Sequence, residues 1–278
     1  MRICPLAQSV RTAQKAAIDG AEAVLELKPA RILASVILLA LAGAPAIARS
    51  PGAGTAATAL TQASVERPKP PTGVNEVTVP LKARTLAIVL SGDGGWWGDL
   101  DRKLAERMGD AGYAVVGLDT NKWFHVRRTP DEISTELTNL IRDYSARTGA
   151  SEVVLVGYSF GADVLPLAIN RFRPAIARRI SAIVLIAPSR GVDPRVTLLE
   201  RTGMQKPSIE LAPEFTRLPV KKLLCIYGAD QADESGCTTA QLQISKVVML
   251  PGGHHFDGIL DHLAQPVLDT LAEWAPAK

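Results

Sequence analysis

A chain of 278 residues with 47% hydrophobic and 21% charged side chains has the composition of a globular protein long enough to bury a full core. Its 31 basic and 28 acidic residues are spread along the sequence without a basic stripe, which argues against nucleic acid as a partner. Without residues 1–48, which hold five basic and three acidic side chains, the formal charge falls from +3 to +1.

The first feature in chain order is a basic flank (Lys28, Arg31), an apolar run from Ile32 to Ala42, and Pro45-Ala46-Ile47-Ala48 with small residues at the cleavage positions. These are the parts of a secretory signal in their required order, so residues 1–48 are expected to export the chain to the periplasm. The run is about half the ~20 residues that cross a bilayer as a helix; an uncleaved inner-membrane anchor is the alternative. Because 27 residues precede Lys28, the true start is expected downstream of Met1. Residues 49–73, rich in Ala, Pro, Gly, Ser and Thr, have the composition of a linker, and a folded domain is expected over 74–278.

Within that domain, β-rich apolar runs alternate with helical spacings. Strands are expected at 76–81, 86–90, 113–118, 153–157, 180–187, 223–227 and 247–250, and helices at 100–108, 130–147, 159–172 and up to Trp274. Thr129 as N-cap and Pro130 at the first helical position start the second of these helices. The alternation implies a mostly parallel sheet with helices on both faces. The stretch 188–219 has weak periodicity and is expected to be an insert or lid.

Gly157-Tyr158-Ser159-Phe160-Gly161 falls between an expected strand and an expected helix. A serine on so sharp a turn is lifted above the sheet edge as a nucleophile, the arrangement of the α/β-hydrolase fold, whereas the same pentapeptide elsewhere is only a Gly-rich turn. A serine hydroxyl needs a base, which in this fold follows the acid in the chain. Of four histidines, His125 precedes the serine and His262 belongs to the last helix. Pro251-Gly252-Gly253-His254-His255-Phe256 follows the last strand, and His255 is the expected base, with His254 as alternative. The acid is expected after the strand at 223–227, where Asp230, Asp233 and Glu234 all occur; Asp230, nearest the strand end, is preferred and Asp233 is the alternative. The backbone amides of Phe160 and Asp93 are the expected oxyanion donors, the latter from Ser91-Gly92-Asp93-Gly94-Gly95-Trp96. Trp96 and Trp97 would either line a lipid groove or pack. Cys225 and Cys237 form an even pair in an exported chain, and a disulfide between them is expected to close the acid loop. The chemistry calls for neither a metal nor a cofactor.

Four blocks, Leu90 to Trp96, Arg128-Thr129-Pro130, Gly157 to Pro166 and Pro251 to Gly258, resemble the signature blocks of the bacterial virulence protein VirJ/AcvB family, across roughly residues 74–278. The resemblance implies a periplasmic serine esterase that releases the amino acid (lysyl or alanyl) from aminoacyl-phosphatidylglycerol at the membrane surface, and a link to secretion-system proteins. Its alternatives are a lipase or thioesterase of other substrate, or a non-catalytic secretion adaptor. The acid loop departs from the spacing expected of the family. For such a substrate, Asp93 and Asp163 are candidates to meet the ammonium group and Arg127 and Arg128 to meet the phosphate. Asp163 also suits the first turn of a helix through the helix dipole, and the arginine pair equally suits a solvated face.

Overall fold

In the computed structural model, the described residues are 70–197, 206–219, 222–239 and 246–278. The expected export segment and nearly all of the expected linker lie outside them, as does part of the expected lid. Among the described residues, seven strands form one sheet: β1 (Val74–Thr78), β2 (Thr85–Leu90), β3 (Ala114–Leu118), β4 (Glu152–Tyr158), β5 (Ile180–Ile186), β8 (Leu223–Gly228) and β9 (Lys246–Leu250). Their order is β1-β3-β2-β4-β5-β8-β9, with β1 antiparallel to β3 and every other pair parallel. β6 (Gly191–Val192) and β7 (Ile209–Glu210) make a small separate ribbon within the expected lid.

The long helices are α1 (Asp99–Asp110), α2 (Pro130–Thr148), α3 (Phe160–Ile169) and α4 (Leu260–Trp274). Side-chain alternation along the strands divides the core between the two faces of the sheet. Leu86, Ile88 and Leu90 of β2 pack with Leu137 and Ile141 of α2 and Val164 and Leu167 of α3. Ala87 and Val89 face the other way, with Leu104 and Met108 of α1 and Leu263 and Val267 of α4. All six residues of β2 are buried, as a strand covered on both faces requires. Thr129 caps α2 through a capping box with Glu132, and Gly149 ends that helix at φ 70°, where a side chain would be strained.

Cys225, in the middle of β8, is joined to Cys237 by a disulfide, with Cα atoms 5.7 Å apart. The bridge fastens the segment after β8 back onto the sheet. A closed loop of this length stabilises a fold by about 3 kcal/mol on the chain-entropy model. For a domain of this size, reduction is expected to lower the melting temperature by roughly 6 to 12 °C. Calorimetry with and without reductant, with thiol content checked by intact mass, measures it. An unchanged transition in fully reduced protein would contradict the stabilising role.

Candidate active site

β4 delivers its last residue, Tyr158, to the sheet edge, and the chain then turns at once into α3. Ser159 at this turn has φ 52° and ψ −121°, a conformation that L-residues rarely adopt. Its N–H donates to the Ile186 carbonyl at 2.8 Å, and its own carbonyl accepts from Ala162 N–H at 2.8 Å and Asp163 N–H at 3.1 Å, so hydrogen bonds hold the strained turn on both sides. Both motif glycines answer to close packing. A Cβ on Gly157 would lie 2.5 Å from the Gly161 carbonyl oxygen, and one on Gly161 2.5 Å from the Leu90 carbonyl oxygen.

The histidine beside the serine is His254, not His255. His254 Nε2 lies 2.7 Å from Ser159 Oγ, whereas His255 is exposed and its Nδ1 lies 2.7 Å from the Tyr158 hydroxyl. The correction has a packing cause. Phe256 is fully buried on the α1 and α4 side of the sheet, and Phe256 and Asp257 both have positive φ. Fixing Phe256 inward sets the direction of the preceding dipeptide. The Tyr158 hydroxyl also donates to the His254 carbonyl at 3.2 Å, so the residue before the serine ties down the histidine loop.

The acid expected at Asp230 is likewise not beside the histidine. After β8 the chain forms a 3-10 turn, Ala229–Gln231, in which Asp230 is exposed and its backbone N–H donates to the Gly252 carbonyl at 3.1 Å. The turn presents the next residue instead: Gln231 Oε1 lies 3.0 Å from His254 Nδ1. Asp233 and Glu234 are exposed. Sequence reasoning passed over Gln231 because it was searching for a carboxylate.

The amide of Phe160 stands at the first position of α3, where helical geometry provides no intrahelical acceptor. The loop carrying Asp93 passes against the serine: a Cβ on Gly92 would lie 3.5 Å from the Ser159 Cβ. That loop is fixed by Asn121 Nδ2 donating to the Asp93 carbonyl at 3.1 Å and by Thr120 Oγ1 donating to the Gly92 carbonyl at 2.5 Å. The Gly92 N–H is already engaged by Asp101 Oδ2 at 3.2 Å.

A cavity of about 500 Å³ opens at Ser159 and His254, and Asp93, Asp163, Asp193 and Glu234 contribute to its wall, which among the described residues contains no lysine or arginine. Residues of the expected lid, among them Ser189, Val192 and Pro207, also line it. Asp193 is paired with Arg127, and Arg128 Nε donates to the Trp123 carbonyl at 2.6 Å, so both arginines proposed for a phosphate have partners within the protein. Trp96 is buried, with Gly117 leaving room for its ring, while Trp97 is exposed. Among the described residues, no group of three or more His, Cys, Asp or Glu is arranged to hold a metal ion.

A mostly parallel sheet with a serine on a strained strand-to-helix turn and a histidine from the loop after the last strand defines an α/β-hydrolase. The chain belongs to the family described as bacterial virulence protein (VirJ), whose model matches residues 84–275. No curated protein sequence matches it. Among solved structures it is similar in fold to MenH from S. aureus, at 14% identity and TM-score 0.52, covering 73% of this chain and 98% of that one. A proline iminopeptidase from Mycobacterium smegmatis gives 11% identity and TM-score 0.51, with 72% and 94% covered. Est1E from Butyrivibrio proteoclasticus, in its ferulic acid complex, gives 15% identity and TM-score 0.50, with 72% and 91% covered.

The electrostatics of the site are set by burial. Desolvation lowers the pKa of His254, and the neighbouring His255 lowers it further against the opposing field of Asp93, so the imidazole is neutral at pH 7. Asp163 is raised to about 7, by burial first, while its hydrogen bonds from the Ser189 N–H and hydroxyl oppose the rise and the charge of Asp93 adds to it. Because the folded protein holds this proton up to about pH 7 and the unfolded chain releases it near 3.8, stability from this group is complete below that lower value. It is lost as pH rises towards 7, by an amount on the order of 4 kcal/mol. Asp163→Asn keeps an acceptor for the Ser189 N–H and cannot ionise. Its melting temperature relative to wild type is therefore expected to rise between pH 4.5 and pH 8. A constant difference across that range in thermal scans would contradict the shifted carboxyl.

Proposed function

We propose that this protein is a periplasmic serine esterase acting on aminoacyl esters of phosphatidylglycerol, with Ser159 as nucleophile and His254 as general base. The observation that carries the proposal is the pairing of Ser159 Oγ and His254 Nε2 at 2.7 Å in the wall of a cavity lined, among the described residues, by four acidic side chains and no lysine or arginine. A neutral, desolvated imidazole accepts the serine proton as Oγ attacks the ester carbonyl, and the imidazolium then donates it to the departing lipid hydroxyl. The oxyanion that forms in between is proposed to meet the amides of Phe160 and Asp93. Water activated by the same imidazole completes hydrolysis and frees the amino acid.

An aminoacyl ester carries an ammonium group on the carbon next to the scissile carbonyl. A wall rich in carboxylates suits that cation and repels a free fatty acid. Asp163, its pKa raised to about 7 by burial, has both oxygens engaged by Ser189, and Asp193 is paired with Arg127, so Asp93 is the partner proposed for the ammonium. A charge-assisted hydrogen bond of this kind is worth about 1.5 to 3 kcal/mol, a tenfold to hundredfold preference.

Purified protein is expected to release lysine or alanine from the aminoacyl lipid in mixed micelles, and to act roughly tenfold to a hundredfold more slowly on the N-acetylated lipid, which keeps the ester and loses the charge. Ser159→Ala and His254→Ala should abolish release while His255→Ala retains most of it. The acid limb of kcat/KM should fall below the ordinary histidine value, since burial depresses His254. Equal rates on the two lipids would remove the ammonium preference; full activity of Ser159→Ala would remove the esterase.

A further inference from the structure

We infer that the third member of the catalytic relay is a neutral amide, Gln231, standing where a carboxylate is usual and acting as a positioning residue through its contact with His254. The inference rests on the assignment of Ser159 and His254 as nucleophile and base and goes beyond it. For His254 Nε2 to accept the serine proton, the ring must carry its hydrogen on Nδ1, and that N–H needs an acceptor. Gln231 Oε1, 3.0 Å away, is that acceptor.

The placement of Gln231 is built into the loop. Its carbonyl accepts from Glu234 N–H at 3.1 Å and Ser235 N–H at 3.0 Å, and the preceding Asp230 N–H is tied to the Gly252 carbonyl in the histidine loop itself. The Cys225 to Cys237 disulfide closes the segment on either side. Three carboxylates surround this glutamine in sequence, at 230, 233 and 234, and all three are exposed. A carboxylate in such a relay does two things: it selects the tautomer and it stabilises the imidazolium formed during attack. An amide oxygen does the first and supplies no charge for the second. The negative field that favours imidazolium comes from Asp93, on the loop after β2. The other titratable groups around the imidazole are His255, with ring centroids 5.2 Å apart, the hydroxyl of Tyr158 from β4, and Asp101, Asp163, Asp193, Tyr227 and Glu234 of the surrounding cavity walls.

The test measures both the tautomer and the charge. In Gln231→Glu, a carboxylate replaces the amide in nearly the same volume, so the acid limb of kcat/KM is expected to move up by about one to two pH units. Gln231→Leu, which removes the acceptor, should lower kcat roughly tenfold to a hundredfold with little change in KM. Asp230→Asn and Asp233→Asn should leave rate and profile unchanged. A p-nitrophenyl ester serves as probe, so the outcome does not depend on the natural substrate. NMR titration of His254 in a Ser159→Ala background gives a second readout without turnover: the Nδ1–H tautomer with the native Gln231, and a raised pKa when Gln231→Glu is added. If no ester is turned over but the titration behaves as described, the esterase assignment fails and the contact stands. If Asp230→Asn or Asp233→Asn abolishes activity while Gln231→Leu does not, or if the titration of His254 ignores position 231, the inference is overturned.

Discussion

At the top of the sheet, the ends of β2 and β4 and the start of α3 meet at a distance set by backbone atoms alone. The Gly161 Cα sits so close to the carbonyls of Leu90 and Ser91 that no side chain fits, and Gly157 is similarly pressed against the first turn of α3. This contact fixes more than the turn. It brings the loop leaving β2, with Gly92 and Asp93, against Ser159, and the hydrogen bond from Ser159 N–H to Ile186 extends the constraint to β5. A bulkier residue at position 161 would push apart the two strands on which the oxyanion loop and the serine depend. The parallel sheet places every later loop at the same edge, so the residues of β8 and β9 need only short connections to reach the serine.

The second convergence involves those loops. Gly228 at the end of β8 is pressed against the carbonyls of Gly252 and Gly253, so the glutamine loop and the histidine loop are packed backbone to backbone. Tyr158 closes the arrangement from below, reaching both His254 and His255 with one hydroxyl. The residue preceding the serine in the pentapeptide is thus more than a spacer. Burial holds its phenol protonated, raising its pKa, so it remains a donor throughout the physiological range.

The strands and long helices were legible because their signals are periodic and their boundaries carry chemistry: Thr129 and Pro130 at the start of α2, Gly157 at the end of β4. Boundaries moved by one or two residues except at the ends of β1, which runs over Val74–Thr78 where 76–81 was expected, and of α3, which stops at Ile169 where 172 was expected; both differ by three. The serine was legible for the same reason, since a strand and a helix flanked it. The histidine was not, because two adjacent histidines differ only in which way the chain carries them, and that is decided by the burial of Phe256 and two residues at positive φ. The apolar aromatic directly after the pair is the one sign available in the sequence, and its burial makes it the anchor of the loop. Gln231 was out of reach of any search by residue type. Only the 3-10 turn after β8 determines that position 231, rather than 230, faces the imidazole.

The disulfide has a kinetic side that follows from where it lies. Cys225 is wholly enclosed within the sheet and Cys237 is 5% exposed, so an attacking thiolate has no straight approach to either sulfur. Exchange must wait for the segment after β8 to lift away, and its rate in dilute thiol is then the open fraction multiplied by the rate of attack. The same segment holds the glutamine against the imidazole. The bridge therefore reports on local opening, and the lifetime of the oxidised form in dilute thiol measures the fraction of time in which the relay is out of register.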